Sequence, residues 1–333
     1  MHLSRRDFIK ATSAVAAAIG LKLPGLMTSE ALAAEGALKV VWLQGQNCTG
    51  CSVSLLNSIT YMTVDELLLN TIDLEYHTTV MAGAGRDAAK AAYLARARGG
   101  YVLVVEGSIP TADGGEYSEL WPGLTMLKGV QEFGANCLAA IAVGTCAAYG
   151  GIPAGAGNPT GAKGLRQVLT GKPIINIPGC PMHPDWLVGT VAYMLGHGGS
   201  PPALDSQGRP TDYFGPLVHD QCQNLSRYNS DFRSRATDGH HSSSGRNCLS
   251  CHSRSDSDVR NPRTLGMSGC LYPLGCRGRV THGDCPIRKW NGELPGTPGV
   301  NWCVGAQSPC HGCTEPNFPD GMSPFFTLNG PGV

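Results

Sequence analysis

The placement of cysteine constrains this chain more than any other feature. Nine of its 14 cysteines fall between Cys222 and Cys313, beyond Gly198, where Pro, Gly, Asn, Ser and Cys dominate. No periodic segment there exceeds about two turns, so apolar burial cannot offset the entropy of ordering the backbone. Metal or cluster ligation is the natural scaffold for such a stretch, and disulfides are the rival. Glycine (45) and proline (23) together make about a fifth of the 333 residues, against roughly 12% in an ordinary protein. Charged residues are 15% and apolar residues 42%, which excludes an acidic disordered chain and a basic nucleic-acid binder.

Residues 1–33 read as an export signal. Arg5 and Arg6, followed by Phe8, precede a short apolar run from Ala14 to Leu21 and a small-residue cleavage pattern, Ala31-Leu32-Ala33. The adjacent arginines match a twin-arginine signal, a route that carries folded proteins and implies a periplasmic destination. Cutting after Ala33 leaves 21 basic and 23 acidic residues, a net charge of −2. That balance gives no electrostatic reason to bind nucleic acid or an anionic membrane. No apolar stretch, including the one near Phe325 and Phe326, has the roughly 20 residues a transmembrane span needs.

From Leu38 onward, apolar runs alternate with helical patterns. Leu38–Leu43, Ile72–Tyr76, Tyr101–Val105, Leu138–Val143 and Pro173–Ile177 read as strands. Helices are expected around Cys51–Ile59, Arg86–Arg98, Leu120–Phe133, Gly164–Leu169 and Asp185–Leu195. Continuously apolar strands alternating with helices predict an α/β domain with a doubly wound parallel sheet, flavodoxin-like in length, over residues 38–198. Strand order is not legible. Residues 199–333 read as a largely irregular C-terminal domain.

Four cysteines fall just past expected strands: Cys48 and Cys51 after the first, Cys146 after the fourth, and Cys180 after the fifth. Carboxyl ends of parallel strands are where open α/β sheets hold ligands. A lone C-x-x-C suits a redox dithiol or half a zinc site equally well. Two further thiols at neighbouring strand ends favour a four-thiolate cage, which suits a [4Fe-4S] cluster.

These residues carry a resemblance. Gln44-Gly45-Gln46-Asn47-Cys48-Thr49-Gly50-Cys51, Glu106-Gly107-Ser108-Ile109-Pro110, Gly144-Thr145-Cys146 and Pro178-Gly179-Cys180-Pro181 closely resemble the small subunit of periplasmic nickel-iron hydrogenases. The likeness continues through His219-Asp220-Gln221-Cys222, Cys270 to Cys276, and Cys310-His311-Gly312-Cys313-Thr314-Glu315-Pro316. It implies a proximal [4Fe-4S] cluster on Cys48, Cys51, Cys146 and Cys180, and a distal [4Fe-4S] cluster on His219, Cys222, Cys270 and Cys276. Cys285, Cys310 and Cys313 match the ligands of a middle cluster that is usually [3Fe-4S]. Here Cys303 replaces the proline of most relatives, in an Asn301-Trp302-Cys303 pattern similar to the selenium-containing branch. The expectation is therefore a middle [4Fe-4S] cluster, with [3Fe-4S] as the alternative. Gly50 and Gly151 stand where oxygen-adapted relatives carry extra cysteines, so an ordinary proximal cluster is expected. Cys137 reads as a core residue.

An insertion at about 234–268 carries its own motif. Cys248-Leu249-Ser250-Cys251-His252 matches the C-x-x-C-H pattern of c-type haem attachment, with His240, His241 or Met267 as a sixth ligand. Its surroundings are polar, and a zinc site or a surface disulfide are alternatives. The resemblance implies an electron-relay subunit of a hydrogenase. Its partners are a separate large subunit that holds the nickel site and an acceptor, either a cytochrome c or a membrane subunit. The competing readings are an iron–sulfur subunit of another exported oxidoreductase and a disulfide-stapled secreted module.

Overall fold

The computed structural model describes residues 38–229, 269–292 and 298–323. Contacts divide the chain into two compact units, with the boundary between Tyr213 and Phe214. The first unit holds strands β1 (Leu38–Gln44), β2 (Ile72–His77), β3 (Val102–Glu106), β4 (Glu119–Trp121), β5 (Leu124–Thr125), β6 (Ala139–Val143) and β7 (Ile174–Ile177). Five of them form a wholly parallel sheet in the order β2-β1-β3-β6-β7. Numbered among themselves these strands run 2-1-3-4-5, a flavodoxin-like order; the alternating pattern predicts the doubly wound parallel sheet but not the order of its strands. All five residues of β3 and of β6 are buried, because helices cover both faces. That is why these strands read as unbroken apolar runs rather than as alternation.

The helices that matter for the site are α1 (Gly50–Leu56), α2 (Gly85–Arg98), α3 (Met126–Asn136), α4 (Gly144–Tyr149) and α5 (Pro184–Gly196). One sheet face, with Val41, Leu43, Leu103 and Val105, packs in one core with Ala88, Ala92 and Ala95 of α2 and Val130 and Phe133 of α3. The opposite face presents Val40, Trp42 and Val104 to Leu55 of α1 and Leu187, Val188 and Val191 of α5, around a shared apolar cavity. Cys137 lies in the first of these cores, its Sγ 3.2 Å from the Gly134 carbonyl.

Three expected helices are shortened. The one read over Leu120–Phe133 begins only at Met126, because Pro122 and Gly123 (φ 87°) turn the chain between β4 and β5. Thr125 then caps α3, its hydroxyl accepting the Lys128 N–H at 3.3 Å. The segment Gly164–Leu169 forms a single 3-10 turn, Leu165–Gln167, and the helix expected over Cys51–Ile59 stops at Leu56.

Residues 200–213 group with the first unit. They are tied to β7 by the Asn176 N–H on the Gly208 carbonyl (2.8 Å) and closed by the Asp205–Arg209 ion pair. The second unit contains only elements of three or four residues among those described. Its core is Val218, Leu271, Leu274, Trp302, Val304 and Cys310, with Cys222, Cys276 and Cys285 packed against it. Among the described residues this core is small and sulfur-rich. The insertion at about 234–268, with Cys248, Cys251 and His252, falls outside the described residues. Among the described residues no helix is long and apolar enough to cross a membrane.

Candidate cofactor-binding cysteine groups

The first group is assembled at the carboxyl end of the parallel sheet. The turn after β1 carries Cys48 and leads into α1, where Cys51 is buried. The end of β6 runs directly into α4, which carries Cys146, and the loop after β7 carries Cys180. Burial pushes the Cys51 thiol far up, with Glu106, Cys146 and Cys180 adding to the effect. Burial also pushes Cys146 up to about 12, helped by Cys180 and Cys48. Cys180 is raised by burial and then by Cys48. The thiols of this group thus lie within electrostatic reach of their neighbours, and for Cys51, Cys146 and Cys180 burial favours the protonated form unless a cation offsets the charge.

Two glycines make room for this group. Gly144 has φ 82°, and a Cβ there would sit 2.5 Å from Cys51 Sγ. Gly151 has φ 54°, and a Cβ there would meet Cys146 Sγ at 2.9 Å and its backbone nitrogen at 2.8 Å. The backbone passes so close to the sulfurs that only glycine fits at either place.

Glu106 ends β3 beside this group, and sequence reasoning noted it only as part of a motif. It is buried and accepts the N–H groups of Cys51 (3.1 Å) and Ser52 (3.2 Å) at the start of α1. The available signal was a charged residue closing an otherwise wholly apolar strand.

The second and third groups lie in the second unit. His219, Cys222, Cys270 and Cys276 all line one cavity, which Tyr228, Tyr272 and Arg279 also border. Burial, then the nearby Arg279, holds the His219 imidazole below its usual pKa, favouring the neutral form that ligates metal. Cys285, Cys303, Cys310 and Cys313 form the third group. The Cys285 thiol is driven far up by burial, then by Cys313 and Cys310, with Cys303 contributing less. Cys310 behaves the same way, with Cys276 its first neighbour. The Cys310 N–H lies 3.4 Å from Cys276 Sγ, so the second and third groups touch.

The donor set fits iron–sulfur clusters. Eleven of the twelve grouped side chains are thiols, and among the described residues no disulfide joins any of them. No three such side chains there converge on a single-ion site. A cluster requires no such convergence, because each thiolate binds its own iron. The side-chain amides Asn47 Nδ2 and Gln221 Nε2 are buried without a hydrogen-bond partner. Each belongs to the residue just before the first cysteine of its group, where an N–H can meet a cluster sulfur.

Comparison with known proteins identifies the family. Residues 48–194 match the family described as NADH ubiquinone oxidoreductase, 20 Kd subunit, and residues 214–326 match the C-terminal family of the NiFe/NiFeSe hydrogenase small subunit. The periplasmic [NiFeSe] hydrogenase small subunit of Desulfomicrobium baculatum is 40% identical, over 98% of this chain and 99% of the relative. The chain belongs to the hydrogenase small subunit family. The periplasmic [NiFe] hydrogenase small subunit of Solidesulfovibrio fructosivorans is 38% identical, over 97% of this chain and 93% of its own length. A crystal structure of the reduced, active Ni-Fe-Se hydrogenase from D. baculatum superposes with a TM-score of 0.74 at 39% identity, covering 88% of this chain and 100% of that one. Residues 2–22 match the twin-arginine translocation pathway signal, so the protein is exported to the periplasm by that route.

Proposed function

We propose that this chain is the electron-relay subunit of a periplasmic [NiFe] or [NiFeSe] hydrogenase. It works with a separate large subunit that holds the nickel site and interconverts H2 with two protons and two electrons. The observation that supports this reading is the gathering of Cys48, Cys51, Cys146 and Cys180 at the sheet's carboxyl end, with His219, Cys222, Cys270 and Cys276 lining one cavity of the second unit and further thiols beside them.

Cys48, Cys51, Cys146 and Cys180 hold a proximal [4Fe-4S] cluster. His219, Cys222, Cys270 and Cys276 hold a distal one, and Cys285, Cys303, Cys310 and Cys313 hold a middle [4Fe-4S] cluster. Each cluster, when bound, supplies a site for one electron. The chain fixes the thiolates, keeps His219 neutral, and lets the Gly144 and Gly151 backbone lie against the sulfurs. The fourth thiol at Cys303 favours four irons over three in the middle site, since it can ligate the corner that three cysteines leave open. A cytochrome c is the acceptor that suits this reading. The haem motif at Cys248, Cys251 and His252 stays a separate proposal, decided by a haem stain of the denatured protein with Cys248→Ala as control.

The test is metal and sulfide analysis of the purified complex, together with redox-titrated EPR and hydrogen-dependent dye reduction. Three clusters, a nickel-containing partner and dye reduction are expected. Iron-free protein with its thiols oxidised in pairs defeats the reading.

A further inference from the structure

Glu106 receives more hydrogen bonds than a merely buried carboxylate needs. Oε1 accepts the N–H groups of Cys51 and Ser52, at 3.1 and 3.2 Å. Oε2 accepts from Trp42 Nε1 (3.1 Å), Gln44 Nε2 (3.0 Å) and Ser52 Oγ (2.5 Å). The direction of the last bond is set from behind. His77 Nδ1 accepts the N–H groups of Thr79 (3.0 Å) and Val80 (3.2 Å), so the ring proton resides on Nε2. That nitrogen lies 3.2 Å from Ser52 Oγ and donates to it. Gln44 Nε2 also donates to Ser52 Oγ at 3.0 Å, and its amide is oriented by Thr79, whose hydroxyl donates to Gln44 Oε1. With both acceptor positions of Ser52 filled, its own proton points at Glu106. Every polar hydrogen of the network therefore runs toward the carboxylate, and neither oxygen faces an acceptor for a carboxyl proton. The geometry is that of an ionised group.

We propose that Glu106 is a fixed buried anion that positions the start of α1 beneath the proximal cluster and holds that cluster's reduction potential low. The His77–Ser52 chain keeps it oriented. A negative charge beside a cluster disfavours the added electron. This inference rests on the reading of Cys48, Cys51, Cys146 and Cys180 as a cluster site. Glu106 is a positioning residue in this scheme, since it grips the amide of Cys51 and acts through it.

The experiment is redox-titrated EPR on the purified complex, carrying Glu106→Gln, Glu106→Asp or Ser52→Ala. Glu106→Gln removes the charge at constant size, and the proximal midpoint is expected to rise while the middle and distal midpoints hold. Glu106→Asp keeps the charge and stays nearer the parent than Glu106→Gln does. A purely steric role predicts the reverse ranking, because the shorter side chain disturbs the contacts more. Ser52→Ala leaves the charge but removes one compensating dipole, so it lowers the midpoint. Should Glu106→Gln fail to assemble, the Ser52→Ala shift decides. An unmoved or raised midpoint in Ser52→Ala, or an unmoved one in Glu106→Gln, overturns the proposal. Absence of iron on the four cysteines of the parent protein overturns the cluster reading itself, which is a separate result.

Discussion

At Asn301-Trp302-Cys303 a single sulfur sets the composition proposed for the middle site. Trp302 is buried in the small core of the second unit, which fixes its neighbour beside the third cysteine group. Replacing Cys303 with Pro or Ser removes the fourth thiolate and leaves three. We expect a [3Fe-4S] EPR signal in the oxidised complex and a higher middle potential, against neither in the parent. His77 gives a prediction of another kind. Burial lowers its pKa to about 4 from the ordinary 6.5, with Glu106 opposing only in part. The folded protein therefore keeps the ring neutral while an unfolded chain takes up a proton. The stability this brings is full above pH 6.5 and is lost progressively as the pH falls toward 4, by about 3 kcal/mol in total. In His77→Asn the unfolding midpoint should depend less steeply on pH across that window, as read by thermal melts at several pH values.

At the scale of the elements, the first unit was legible because its strands are buried on both faces and its helices repeat on one. Each of the five sheet strands lies within a residue or so of its expected place. The helix expected at Leu120 was misplaced because a Pro-Gly turn interrupts an apolar pattern that continues on either side. The strand-end cysteines were legible from spacing alone, whereas the Glu106 network was not. Its partners, Trp42, Gln44, Ser52 and His77, come from three separate stretches of chain that only the sheet brings together. The turn from β6 into α4 offers a direct test of this crowding. Gly144→Ala adds about 1–2 kcal/mol of left-handed backbone strain and drives a methyl into Cys51 Sγ. Lower iron content and a lower unfolding midpoint are expected together, measured by metal analysis and by calorimetry of the complex.

For the whole molecule, the two units should respond differently to loss of iron. The first has an extended core on its parallel sheet, while the second packs six residues and several thiols around its own centre. Stripping iron with a chelator under reducing conditions should leave most of the far-ultraviolet signal of the sheet. Limited proteolysis should then cut beyond Phe214 well before it cuts within residues 38–213. Equal protection of both halves would show that the second unit stands without its cofactors. The irregular part of the chain was legible only as a need for ligation. Which thiols share a group depends on loop geometry that no periodicity records.

Cys48 in the turn after β1, Cys146 in α4 and Cys180 in the loop after β7 come to one edge only after strands far apart in the chain have paired in parallel. On the proposed assignment of these cysteines, a nascent polypeptide has nowhere to seat the inorganic core until its sheet is finished. Loading becomes a certificate of completed folding, issued before a transporter that accepts only finished cargo receives the protein.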